Sequence, residues 1–352
     1  MSIRDIGLYV GMMTSNVIIQ QLGAYSGVQT SLLILPLYIG NFCAINVMRC
    51  MPTKKDQGSS SGRDVESASS QKLETTVVFV DPPFFYTIVL GMLHVVANLS
   101  NLYAISVLGS GLFQVLYSSQ PIFIALLSRV LLGTQLSNER WVSLLITIIG
   151  LIFAVGHEYL PGEGVESLNV EGGEETLVEN EEATEYVAGV VAAIMGAALF
   201  ACIGVFSEGF LSGKETRFTT AGAPVDGQKF IDFLMRTALC CCLLWFFTSI
   251  FPSWDDVVRQ PMQRAGSSEQ YLLFLSLILS VCQGVQNQSY FAVISRRGGI
   301  LVGLLNCGVT ILVFMLSSFL FCTYDQGQCV TLPKGLGAVV AAGGIVAYSL
   351  AT

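Results

Sequence analysis

The sequence predicts an all-α membrane protein with ten transmembrane helices in two inverted five-helix repeats. Three observations carry that expectation. Of 352 residues, 53% are hydrophobic and only 12% charged, whereas an ordinary soluble domain carries about 25% charged residues. Ten apolar runs reach the length of roughly 20 residues that crosses the hydrocarbon of a bilayer as a helix, at 5–24, 29–49, 83–108, 110–132, 138–157, 186–210, 229–251, 270–294, 298–322 and 333–351. Polar residues also recur at matched depth in the two halves. Runs this long and unalternating are helices rather than the short alternating strands of a barrel, the only other structure that satisfies its backbone in lipid.

The first span follows Arg4 and Asp5, contains Asn16 and Gln20 and lacks a small-residue cleavage site, so it reads as a retained helix rather than a signal peptide. After the second span, residues 51–82 include "DQGSSSGRD" with scattered lysines and read as a flexible cytoplasmic linker. Spans three to five complete the first repeat, residues 1–157. Residues 158–185 hold ten Glu and no Lys or Arg, and without them the net charge of −8 becomes about +2. This is expected to be a solvated non-cytoplasmic loop held open by self-repulsion, with a divalent-cation role as the alternative. The second repeat occupies 186–352. With the N-terminus in the cytoplasm, 14 of the 17 basic residues fall on the inside, the exceptions being Arg259, Arg264 and Lys334. The positive-inside rule therefore places both termini in the cytoplasm.

Eight of the ten cysteines lie inside expected helices, where a small apolar side chain is sufficient reason for them. No metal-ligand spacing is present, and no cofactor is implied. Cys322 and Cys329 flank the loop between spans nine and ten on the non-cytoplasmic side, where a disulfide can form. His94 and His157 are the only histidines and no carboxylate pair shares a span, which argues against an enzyme. His94 reads as a packed or hydrogen-bonded polar residue, with a proton relay as the alternative. Asn98-Leu99-Ser100 and Asn287-Gln288-Ser289 match the glycosylation pattern but lie within spans. Gly299 with Gly303 and Gly337 with Ala341 are small-residue pairs suited to close helix packing, with gating or a homodimer contact as the secondary reading.

At a constant offset of 188, residues 98–116 superpose on 286–304, bringing Asn98 over Gln286, Ala104 over Ala292 and Gly111 over Gly299. Five spans per half is an odd number, so the halves face opposite ways across the membrane, the arrangement used for alternating access around a midplane site. On span eight, "CQGVQNQSYF" sets Gln283, Gln286, Asn287 and Tyr290 at i, i+3, i+4 and i+7, one helical face. Span three carries Asn98 and Asn101, with Tyr103 nearby. Span four carries Gln114, Tyr117, Ser118 and Pro121, and span nine Asn306 and Thr310. Polar groups in hydrocarbon need partners, so these faces point into the bundle. Interhelical hydrogen bonding explains any one of them; a hydrated path for a small-molecule metabolite explains the set. The expected surroundings are the lipid bilayer, with no role for nucleic acid.

The run "FQVLYSSQPIFIALLSRVLLGTQLSNERWVSLLITIIGLIFA", with ten spans and a five-plus-five repeat, resembles the drug/metabolite transporter superfamily, and within it the nucleotide-sugar transporters of eukaryotic endomembranes. Asn98 falls on the first of that family's paired asparagines, and Phe113, Gln114, Val115 and Tyr117 follow its Y-Q-V-x-Y pattern. "GVFSE" places Glu208 on its acidic residue, "FLMR" brings Arg236 to the start of span seven, and "VGLLNCG" aligns Gly303, Leu305 and Asn306 on its G-A-L-N-K signature. The resemblance implies a carrier of nucleotide sugars in the Golgi or a related endomembrane. Gln120, expected among the solute contacts, departs from the family by standing where its span-four lysine should be. Leu99 replaces the second asparagine and Cys307 the signature lysine. A diphosphate needs cationic or multiple N–H partners in a poorly screened cavity, so those departures leave a neutral or zwitterionic solute as the alternative. A non-transporting membrane scaffold is the other.

Overall fold

The computed structural model describes residues 3–28, 30–50, 84–133, 135, 137–156, 175–212, 226–297, 299–323 and 329–351. The linker 51–82, residues 158–174 of the acidic stretch and His157 lie outside them. The described residues contain helices and no strand. The helices are α1 (Ile3–Tyr25), α2 (Ile34–Cys50, entered through the 3-10 turn Thr30–Leu33), α3 (Phe84–Tyr117), α4 (Gln120–Leu131), α5 (Asn138–Gly156), α6 (Glu175–Ser212), α7 (Gly227–Trp245), α8 (Gln260–Arg264), α9 (Glu269–Arg297), α10 (Gly299–Phe321) and α11 (Leu332–Leu350). Every expected span contains helix. Among the described residues, four stretches can cross a membrane by length and composition: Phe84–Tyr117, Thr184–Leu211, Lys229–Ser253 and Leu301–Phe321. Asp255–Arg264 and Glu269–Ile294, bent by 104°, supply a fifth if they count as one span.

Two boundaries differ from the sequence reading, and one coincides with it: residue 109, left between spans three and four, is the break inside α3 at Gly109, with φ 73° and ψ 165°. Only glycine occupies that conformation without strain. The expected fourth span is itself interrupted at Ser118 and Ser119, and α4 starts afresh with Pro121 in its first turn, where the missing N–H has no helical partner to lose. The acidic stretch is not all loop, since α6 begins at Glu175. Glu and Ala are good helix formers, and carboxylates at a helix N-terminus are favoured by its dipole. Beyond Trp245, α7 passes into a π-turn (Phe246–Ile250), a 3-10 turn (Phe251–Ser253) and a second π-turn (Asp255–Arg259) before α8. Pro252 and Pro261 cannot donate backbone hydrogen bonds. Val258 and Met262 from this segment are buried in one cluster with Val28 and Leu32.

Several helix contacts, though not α3 with α10 or α10 with α11, recur when α1 is exchanged with α6, α2 with α7, α3 with α9, α4 with α10 and α5 with α11. The pair α3 with α6 has its counterpart in α9 with α1, α2 with α9 in α7 with α3, and α4 with α6 in α10 with α1; α5 with α11 and α2 with α7 map onto themselves. Small residues allow the closest crossings. A Cβ on Gly150 would lie 2.3 Å from the backbone N of Ala341, one on Gly344 2.6 Å from Thr147 Oγ1, and one on Gly303 2.9 Å from Pro121 Cγ. Gly303 thus packs on Pro121, and Ala341 on Gly150.

Gly109→Ala is expected to lower stability by about 1–3 kcal/mol, read as a lower thermal unfolding midpoint of the detergent-purified protein. An unchanged midpoint would mean that the break does not need glycine.

Candidate functional site

Polar side chains from α1, α3 and α9, with Phe200 and Ile203 of α6, face one cavity partly open to the outside. Two of those helices, α1 and α9, meet through amides. Asn16 Nδ2 donates to Gln283 Oε1 at 2.8 Å and also to Gln286 Oε1. Along α1 the cavity-lining residues Tyr9, Met13, Asn16 and Gln20 recur at helical spacing, so one face of that helix turns inward. On α9, Gln283, Gln286, Asn287 and Tyr290 all line the cavity, and Asn287 Nδ2 reaches Met235 Sδ of α7 at 3.2 Å.

The opposite wall is built by α3 and α6. Asn98 Nδ2 donates to the Tyr38 hydroxyl at 3.0 Å and to the backbone carbonyl of His94, one turn earlier, at 2.9 Å. The Tyr38 hydroxyl lies 2.7 Å from His94 Nδ1. His94 is therefore a buried, hydrogen-bonded member of a Tyr38–His94–Asn98 group that sets the direction of the Asn98 amide. Asn101 is accommodated by a glycine: a Cβ on Gly196 would fall 1.9 Å from Asn101 Oδ1. Rings complete the lining. Tyr9 and Tyr290 have centroids 6.2 Å apart, Phe113 stacks on Tyr117 at 5.5 Å, and Tyr117 meets Phe200 edge-on at 6.1 Å. Among the described residues no Asp, Glu, Lys or Arg lines this cavity. Arg236 instead pairs with Asp232 at 2.9 Å, 44% exposed.

Of the residues expected to contact solute, Asn98, Asn101, Tyr117, Gln283, Gln286, Asn287 and Tyr290 line the cavity. Gln114, Gln120 and Asn306 stand next to it, along the seam between α10 and the α3–α4 region. There the Tyr9 hydroxyl donates to Asn306 Oδ1 at 2.7 Å, Asn306 Nδ2 donates to Gln120 Oε1, and Gln114 Nε2 lies 3.5 Å from Thr310 Oγ1. Ser110 Oγ donates to Ser317 Oγ at 2.9 Å further along the same seam. Tyr9, Phe113 and Phe200 were not among the expected contacts. The spacing of Tyr9 with Asn16 and Gln20 is the signal that identifies the first; Phe113 stands in the Y-Q-V-x-Y pattern of the resemblance, and nothing in the sequence distinguishes Phe200 from a packing residue.

Cys322 and Cys329 are joined by a disulfide at the turn after α10. Among the described residues no group of three His, Cys, Asp or Glu is placed to hold a metal ion.

Residues 70–156 match the EamA-like transporter family. No curated protein matches the chain. A crystal structure of another protein matches at 13% sequence identity with a TM-score of 0.54, covering 98% of this chain and 99% of that one, so the fold is shared over its whole length. The apolar helices and the family match together indicate an integral, multi-pass membrane protein, and the match points to transport of the drug or metabolite type rather than to catalysis.

Gly196→Ala is expected to leave the fold intact, because the atom in its way is the end of a side chain that can swing aside, and to weaken apparent solute affinity several-fold by displacing Asn101. Uptake kinetics at equal protein check this; an unchanged KM would remove Asn101 from the solute path.

Proposed function

We propose that the protein is a secondary carrier that moves a polar organic metabolite across a membrane by alternating access, with ten crossings in two inverted halves, residues 1–157 and 186–352. The observation that carries this reading is the make-up of the cavity: α1, α6, α3 and α9 are two pairs of corresponding helices, and each pair supplies lining residues. If the two halves exchange conformations around such a site, the same amides face first one side and then the other. A scaffold would have no need to place uncompensated amides at the meeting point of corresponding helices.

Two solute classes compete. The likeness to nucleotide-sugar transporters supports a nucleotide sugar and, with it, a Golgi or other endomembrane location. The uncharged lining favours a neutral or zwitterionic solute, because a diphosphate would find no cationic partner among the described lining residues. The distribution of basic residues supports cytoplasmic termini, and the disulfide supports an oxidising lumen on the α10–α11 side.

The test is uptake by purified protein in proteoliposomes across a panel of nucleotide sugars, amino acids, sugars and heterocycles. Saturable uptake of one class, stimulated by the same solute inside, is the expected result. A folded, inserted protein that carries none of them would contradict the carrier reading.

A further inference from the structure

The cavity joins two kinds of surface that no single simple solute class uses equally. Near Tyr9 and Tyr290 it is aromatic, with Tyr117, Phe113 and Phe200 close by. Seven residues further along α1, about 10 Å at the helical rise, it is carboxamide, where Asn16 meets Gln283 and Gln286. Among the described residues, five buried amide oxygens have no partner, and two of them, Asn16 Oδ1 and Asn101 Oδ1, belong to residues that line the cavity. Buried polar atoms of this kind are costly unless something donates to them. A donor on a bound solute would satisfy such an oxygen.

Resting on the carrier reading, we propose that the solute is an uncharged planar heterocycle whose edge presents an N–H donor beside an acceptor, as a lactam or a free nucleobase does. A carboxamide carries a donor and an acceptor side by side and pairs with such an edge through two parallel hydrogen bonds. Aromatic side chains give the ring a face to stack on. The absence of formal charge among the described lining residues acts against both signs, since a buried ion needs a counter-ion or a dense set of hydrogen bonds. An open-chain polyol would satisfy the amides and leave the aromatic surface unused. A nucleotide would bring its ring together with phosphates that have no partner.

The experiment uses the full-length protein in proteoliposomes with radiolabelled uracil and adenine. Competitors are 1,3-dimethyluracil, which keeps the ring but loses both N–H donors, uridine monophosphate, which keeps the base and adds charge, and myo-inositol, which is neutral without a planar ring. Saturable uptake of at least one free base is expected. The dimethyl compound, the monophosphate and inositol should each compete at least tenfold more weakly than the unlabelled base. Tyr290→Leu should raise the KM for the base about tenfold. Equal competition by the monophosphate or by inositol overturns the inference, as does absence of base uptake while another solute of the panel is carried. In that last case the carrier reading stands; if no solute of any class is carried, both fall.

Discussion

Replacing Gln286 by leucine is expected to lower transport by roughly 5- to 150-fold while the protein still folds and inserts, because a solute polar group left unpaired in the cavity costs about 1–3 kcal/mol. Gln286 Oε1 accepts from Asn16 Nδ2, which also donates to Gln283 at 2.8 Å, so the leucine removes one of two glutamines that hold the α1 amide. Were these groups only interhelical hydrogen bonds, the loss would average about 0.6 kcal/mol in a bilayer, a small change in stability with transport intact. Asn16→Leu should act at least as strongly, since it removes the partner of both glutamines. Initial rates of counterflow at matched protein decide the matter. Normal rates in both variants would show the amides to be structural.

The largest loss of stability is expected from Gly40→Ala. A Cβ there would lie 1.9 Å from the carbonyl oxygen of Ser280 and 2.6 Å from its carbonyl carbon, and one on Gly284 would lie 2.7 Å from the oxygen of Gly40. These are backbone atoms, so no rotamer change relieves the clash and α2 and α9 must separate. Overpacking typically costs about 1–3 kcal/mol and more where the surroundings cannot yield; this site belongs at the upper end. Because α9 carries Gln283 and Gln286, transport should fall with it. Gly308→Ala is the matched control, as a Cβ there meets nothing within 4 Å. Thermal unfolding midpoints in detergent should separate the two variants clearly; equal midpoints would mean that α2 and α9 are not packed this closely.

Hydropathy locates the helices because a run of apolar residues has one stable form in lipid. It separates spans three and four at Gly109, where α3 breaks, but does not show the second interruption at Ser118 and Ser119. Nor does it find the start of α6: a run of glutamates reads as self-repelling chain, yet the same residues favour helix once the apolar part of α6 provides something to extend. Amides were legible as a candidate site because carboxamides are expensive in hydrocarbon and need a reason. Depth in the membrane is as far as that reasoning reaches. Gln114, Gln120 and Asn306 lie at fitting depths, but packing turns them toward the seam of α10 with α3 and α4. The ring of Phe200 escaped notice because an aromatic residue in an apolar helix needs no explanation.

Alternating access around the amides is the central claim, and side-specific labelling measures it most directly. With the described free cysteines Cys43, Cys202, Cys240, Cys241, Cys242 and Cys282, and the remaining unbridged ones, replaced by serine or alanine, a single cysteine at Gln283 would be exposed to a membrane-impermeant thiol reagent from either face of sealed vesicles. Labelling from both faces is predicted, with the balance shifted by a transported solute. Labelling from one face only, under all conditions and in a protein that transports, would contradict it.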